Sequence, residues 1–333
     1  GQIEQFTTDY PKTAVILLCA TQTPEFLINA MRAGVREVLP SPVPAGALEA
    51  AVTRVAAKLK GAQGKAAGKV LAFMPCKGGS GSTFLATNLG YQLAESHSVL
   101  LIDLNLQFGD ALSFIHDGKP ASTLADVARD IHRLDASFLA ASTVKVTPNY
   151  SVLAAPEEPS QAVDIAAEHV EAVLDLAASE YDFILLDLGR NLDTLSIKAL
   201  DRTHRIFPVL QTGLPALRNA KRLLAAFAGL GYPSEKTEII VNRFEKHGEV
   251  GLDDIRRLLG VTTLHTVPNS YKEVNAAINH GEPLPQRARS SAVTKGLAAL
   301  SMEISPRKEE STGLLGRLFR RAPAAAQRPA HQS

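Results

Sequence analysis

Several things are scarce in this sequence, and each scarcity narrows the reading. Only two cysteines occur in 333 residues, Cys19 and Cys76, far apart. That argues against a disulfide framework and suits a reducing cytoplasm. Neither sign of charge is in excess: 35 Lys and Arg face 34 Asp and Glu, for a formal net charge of +1. No overall basic balance advertises nucleic acid, so DNA is an unlikely partner on this count. The nine histidines do not fall at zinc-ligand spacing. No apolar run approaches the ~20 residues needed to cross a bilayer, and no secretory leader is recognisable. What is present is an ordinary globular composition, 45% hydrophobic and 21% charged, in a chain long enough for two domains.

Residues 1–57 read as strand, helix, strand, helix. Ala14–Leu18 and Val35–Leu39 are short apolar runs, while Glu25–Ala33 and Ala45–Leu59 have helical periodicity. A linker of small residues closes this part, within 58–68. From 69 to 304, apolar strands alternate with helical segments. The strands are expected at 69–74, 98–103, 151–154, 182–187, 205–210, 237–242 and 263–267. The helices are expected at 83–95, 123–133, 161–179, 193–201, 215–230, 251–259, 271–280 and 289–303. Continuous apolar strands separated by helices predict an α/β fold, a doubly wound and mainly parallel sheet of roughly seven strands. Ligands bind such sheets at the carboxyl ends of the strands. Residues 305–333 read as a disordered tail, interrupted by a basic, apolar island at 313–321.

Three segments carry chemistry. Cys76-Lys77-Gly78-Gly79-Ser80-Gly81-Ser82-Thr83 follows an apolar strand and opens a helix, the setting of a phosphate-cradling loop. Glycines let backbone N–H groups close around oxygens, and the helix start adds positive potential. Thr83 stands where a hydroxyl ligates Mg²⁺. Val99–Asn105 is a strand ending in Asp103 and Asn105, and Tyr181–Gly189 is a strand whose Asp187 fits a metal-holding carboxylate. A tight turn or a capping aspartate is the bland alternative for each segment taken alone.

Together, Lys-Gly-Gly-x-Gly-x-Thr, then Asp-x-Asn, then a strand ending in Asp resembles the deviant Walker A ATPases, the MinD/ParA group, over roughly residues 69–304. The resemblance implies a P-loop fold, ATP and Mg²⁺ as cofactors, exchange with ADP, and a nucleotide-sandwich homodimer. In it Lys77 reaches the partner's phosphates, and Gly78, Gly79, Ser80, Gly81, Ser82, Thr83 and Phe84 line the nucleotide. Thr83, Asp103 and Asp187 serve the metal. Asn242 and Arg243, at the end of Ile239–Arg243, look like the adenine-reading strand end. Pro268, Asn269 and Ser270, with the helix beginning at Tyr271, look like the closing purine loop. Asp103–Asp110 and Thr123–Val127 are similar to the CpaE/TadZ branch, and Ala30–Pro40 resembles part of a response-regulator receiver domain. That branch implies a localisation factor for Flp/Tad-type IV pilus or secretion machinery, recruited from the cytoplasm to the inner face of the membrane or a cell pole.

The departures matter as much. Ser82 replaces the lysine that contacts β- and γ-phosphates, a charged hydrogen bond worth ~1.5–3 kcal/mol. Asn105 replaces a second aspartate, and an amide cannot accept a proton; losing a general base typically costs ~10²–10⁴ in rate. Phe84 replaces a second hydroxyl. Catalytic roles for Lys77, Asp103 and Asn105 are therefore expected to be weak, with ATP bound and hydrolysed slowly or not at all. In the receiver-like region the usual switch Ser/Thr is Cys19 or Ala20, and the usual lysine is Ser41, which implies a pseudo-receiver. In the tail, Leu314, Leu315, Leu318 and Phe319 share a helical face, with Arg317, Arg320 and Arg321 opposite or at its edge. This resembles a MinD membrane-targeting helix, marginal in one copy but reversible by avidity in two. The alternative reading is an active ParA/MinD-type ATPase in DNA partition or division-site placement, and a nucleotide-free scaffold is the third.

Overall fold

The computed structural model describes residues 67–306 apart from position 247. Before them it describes 13–20, 33–44 and 46–62, with the single positions 3, 5, 6, 23, 26 and 30. In the N-terminal part β1 (Val15–Cys19) and β2 (Val35–Pro40) pair in parallel, and α1 (Ala47–Ala62) follows. Most of the helix expected at 25–33 lies outside the described residues, as do the island at 313–321 and all seven of its nominated side chains.

The larger part opens with β3 (Lys69–Pro75), α2 (Ser82–Leu93), β4 (Val99–Leu104), α3 (Leu124–Arg129) and α4 (Ala136–Ala141). The hairpin β5 (Val144–Thr147) and β6 (Tyr150–Leu153) comes next, then α5 (Ala167–Glu180), β7 (Phe183–Leu188), α6 (Thr194–Asp201) and β8 (Arg205–Leu210). The chain continues through α7 (Leu214–Gly229), β9 (Ile239–Phe244), α8 (Leu252–Leu259) and β10 (Leu264–Pro268). It ends in α9 (Tyr271–Asn279), α10 (Leu284–Arg287) and α11 (Ala292–Ile304). The strands make one eight-stranded sheet in the order β10-β9-β8-β3-β7-β4-β6-β5, parallel throughout except for β5.

The period of two along β3 explains the layering. Leu71 and Phe73 face the layer built from Leu85 and Leu89 of α2 and Leu297 of α11. Val70, Ala72 and Met74 face the opposite layer, with Leu124, Val170 and Leu174 from α3 and α5. A strand buried on both faces has no room for alternating polarity, which is why it reads as a continuous apolar run. A third cluster joins β8 and β9 to α7 and α8 through Leu210, Leu217, Val241 and Ile255. Phe73 stacks on Phe207 across neighbouring strands at 5.1 Å, and truncating a ring so placed costs about 3–5 kcal/mol.

The helix that opens the glycine loop is fixed from below. Tyr150 packs so close to Gly90 that a Cβ there would collide with its ring. Its hydroxyl donates to the Thr87 carbonyl at 2.9 Å. Asn88 of the same helix accepts the Leu284 N–H at 2.7 Å, tying α10 to α2.

The sheet differs from expectation in having an eighth strand, β5, at its edge. The helices α4 and α10 are also additional. The segment expected as one helix over 161–179 is a 3-10 turn at Pro159–Asp164 and then α5, because Ile165 between them is extended. The segment expected at 123–133 stops as an α-helix at Arg129 and closes with a 3-10 turn, Ile131–Arg133.

Candidate functional site

The loop between β3 and α2 lies at the carboxyl end of a central strand, where the sheet order reverses. Its shape depends on two glycines in the left-handed region, Gly79 at φ 76° and Gly81 at φ 90°. Gly81 has a second constraint: a Cβ there would run into the Asn242 side-chain amide. The loop is held by its carbonyls. Gln211 Nε2 donates to the Gly79 carbonyl at 2.9 Å, and Asn242 Nδ2 to the Ser80 carbonyl at 2.8 Å. Gly81 caps α2 with no side-chain hydrogen bond, and no acidic residue occupies the first turn. The helix therefore begins with unpartnered N–H groups and an uncompensated positive end, which suits an anion.

Behind the loop two carboxyl groups meet. Asp103 and Asp187 are register partners on β4 and β7, and each is about 1% exposed. Asp103 accepts the Asn105 N–H with Oδ1 and the Ala111 N–H with Oδ2, both at 3.0 Å. Burial pushes its carboxyl up to about 7 against these hydrogen bonds, and Asp110 pushes the same way. Burial raises the Asp187 carboxyl as well, and the neighbouring Asp103 adds to the rise. The Thr83 and Ser82 hydroxyls pull Asp187 back down. Asp187 Oδ1 is buried with no hydrogen-bond partner, and so is Ser80 Oγ. An orphaned carboxylate oxygen beside a second buried carboxyl is an arrangement that a cation would relieve. Among the described residues no three His, Cys, Asp or Glu side chains form a metal cage of their own. A Mg²⁺ bound here would be shared with phosphate oxygens, the usual habit of that ion. The residues present thus fit a nucleotide with Mg²⁺: N–H groups and glycines for phosphate, Thr83 and Asp187 for the metal.

On the other side of the loop a cavity of about 210 Å³ is lined by Gly79, Gly81, Phe84, Asn242, Arg243 and Pro268, among others. Asn269 and Ser270 complete that wall, with Val274, Asn275 and Ile278 of α9. The structure therefore brings the nominated base-reading residues to the same loop. Asn242 is 5% exposed, and its amide serves the loop while its Oδ1 accepts the Arg243 N–H at 2.9 Å. Asn269 donates to Glu245 at 3.1 Å. Arg243 has φ 52°, the one non-glycine positive φ among the described residues. Phe84 is buried in the core beside the cavity, so its part is to close the wall.

Lys77 is separate from that cavity. It lines a shallow recess of about 110 Å³ with Gly78, Ser80, Gln211, Gly213 and Pro215. Asn105 lies past the end of β4, where its Nδ2 donates to the Phe108 carbonyl at 3.1 Å. Sequence reasoning missed Phe114 and Val293 in the cavity wall, and Gln211 and Arg190 beside the loop. None carries a local signal, since Gln211 meets Gly79 across 132 residues of chain.

A glycine-rich strand-to-helix loop, a strand-end aspartate behind it and a parallel sheet around both define a P-loop nucleotide-binding α/β domain. Residues 68–232 match the family model described as "AAA domain". The chain is 25% identical over 244 residues to the septum site-determining protein MinD of Thermotoga maritima, covering 71% of this chain and 88% of that one. The crystal structure of a ParA family ATPase from Chlorobium tepidum superposes with a TM-score of 0.68 at 26% identity, over 71% of this chain and 99% of that one. MinD of Pyrococcus horikoshii, solved with Mg-ADP, shares the fold with a TM-score of 0.63 at 19% identity, over 72% and 96% of the two chains. The fold is that of the MinD/ParA P-loop proteins, and residues 68–232 resemble the family model's domain.

Proposed function

We propose that this protein is a nucleotide-dependent positioning factor that binds ATP with Mg²⁺, pairs with a second copy, and turns ATP over slowly or not at all. The observation that carries the reading is the Asp103–Asp187 pair, with one Asp187 oxygen unpartnered, directly behind a glycine loop whose helix start is uncapped. In this reading the loop N–H groups and Thr83 hold phosphate and metal, and Asp187 orients the metal. Asn242, Arg243 and Pro268–Ser270 hold the base. Bound Mg²⁺ would neutralise charge on the phosphates. Slow turnover follows from the side chains: the Asn105 amide cannot take up a proton, and both Asp103 oxygens already accept backbone N–H groups. Lys77, exposed in its own recess, is the residue offered to a partner's nucleotide.

What the factor positions is the finer question. The Thermotoga maritima relative is a septum site-determining protein, which favours division-site placement, the second reading, with an active ATPase. A role in Flp/Tad pilus assembly rests on the CpaE/TadZ-like stretches and the receiver-like N-terminal region alone. Among the described residues no helix is long and apolar enough to cross a membrane.

The deciding experiment measures nucleotide content and oligomeric state of the purified full chain, with and without ATP and Mg²⁺, alongside phosphate release. A dimer formed only with Mg-ATP and little phosphate release supports the switch. Robust turnover abolished by Asp187→Ala transfers the case to the second reading. No affinity for adenine nucleotides at millimolar concentration defeats both.

A further inference from the structure

The loop lacks its lysine at Ser82, yet a cation stands beside it. Arg190 follows Asp187 by three residues, past the end of β7. Its Nη1 lies 3.8 Å from the position a Cβ would occupy on Gly78. Gly189, just before it, passes within 3.3 Å of Asn105 Oδ1 when measured from its own would-be Cβ, which carries the chain closely over the end of β4. The strand end that presents Asp187 to a metal therefore also presents a guanidinium to the loop.

Among the described residues Arg190 has no competing carboxylate: it is exposed, and none lies within ion-pair distance of it. The recess of about 290 Å³ that it lines with Cys76, Asn219 and Arg222 contains no acidic side chain. A second arginine in the same recess repels the first, and neither is neutralised. Unbalanced positive charge beside an uncapped helix start calls for an anion. A guanidinium answers a phosphate better than a solvated surface role requires: it is planar, always charged, and carries donors in a fixed fork.

The geometry points to Arg190 as the cation that replaces the missing loop lysine, gripping the terminal phosphates of the nucleotide from the Gly78 side. This rests on the ATP reading above and adds a residue to it. The substitution pattern is then a relocation: the charge absent from the helix start at Ser82 is supplied from the end of β7.

The test is calorimetric titration of the full chain with Mg-ATP, and separately with adenosine, which has the base but no phosphate. Arg190→Ala is expected to weaken Mg-ATP about ten- to a hundredfold, the worth of a hydrogen bond between charged groups, and to leave adenosine unchanged. Adding Ser82→Lys to Arg190→Ala is expected to recover most of the loss. The exposed, unpaired position predicts an unchanged melting temperature without ligand, which separates binding from folding. Wild type that binds Mg-ATP while Arg190→Ala binds it equally well overturns this assignment and leaves the ATP reading standing. An equal loss for ATP and adenosine also overturns it, since a phosphate contact cannot affect a ligand without phosphate. Wild type that binds neither ligand removes the ATP reading and this assignment with it.

Discussion

Replacing Asp187 by asparagine probes the buried acid pair in both of its states. Without nucleotide, Asp103 and Asp187 are both lifted above the ordinary aspartate value of about 3.9. The native state thus holds protons that the unfolded chain releases. Stability is greatest below about 3.9, declines as pH rises, and the whole contribution is gone once pH passes the native values. Asp103, lifted to about 7, is worth on the order of 4 kcal/mol across that window, at ~1.4 kcal/mol per pH unit. Asp187→Asn keeps the shape and removes one of the two titrating carboxyls, while Asp103 stays raised by its own burial and by Asp110. Ligand-free wild type should lose melting temperature between pH 6 and 8, at about 2–4 °C per kcal/mol for a domain of this size. Asp187→Asn should show a flatter profile and should melt higher than wild type at pH 8. With Mg-ATP the order reverses. Wild type gains ~2.7 kcal/mol at a hundred times Kd, and the variant loses the Mg²⁺-dependent part of that gain. Differential scanning fluorimetry over a pH series reads both. A wild-type melting temperature that is flat or rising from pH 6 to 8, with Asp187→Asn less stable at both ends, would refute the account of the pair.

Three further substitutions test the loop and its surroundings. Gly81→Ala forces a left-handed φ on a residue with a Cβ and drives that atom into Asn242; a loss of about 1–3 kcal/mol in urea unfolding and no measurable ATP binding are expected. Asn242→Ala strips the Ser80 carbonyl of its donor and removes part of the base cavity, so stability should fall by about 1–3 kcal/mol and ATP and adenosine should weaken together. Asn105→Asp supplies a group able to accept a proton; phosphate release should rise at least about tenfold, and an unchanged rate removes Asn105 from the explanation of slow turnover.

The parts of the fold that were legible in the sequence are those where burial leaves no choice. In β4 and β7 every residue is buried, and both appear in the sequence as uninterrupted apolar runs ending in aspartate. The edge hides itself for the opposite reason. Val144–Thr147 is four residues long, half exposed, and includes Lys145, so it lacks the apolar signal of an inner strand. α4 escaped notice because it is only six residues long, although Asp135 caps it by accepting the Phe138 N–H at 2.7 Å. The site divides along the same line. The glycine loop and Asp187 are written locally, as a spacing and a strand end. The grip of Asn242 on Ser80 spans 162 residues, and the approach of Arg190 to Gly78 joins two different strand ends. Such contacts exist only once the sheet has set β3, β7 and β9 in order.

The two amides that grasp the loop from β8 and β9 have a kinetic consequence. Because Gln211 and Asn242 occupy the Gly79 and Ser80 carbonyls, the peptide planes are turned before any ligand arrives. Little ordering remains to slow capture, so affinity is governed chiefly by how fast the ligand escapes. Cutting either tether would lengthen the search for the right loop shape, and the change would register in the association rate.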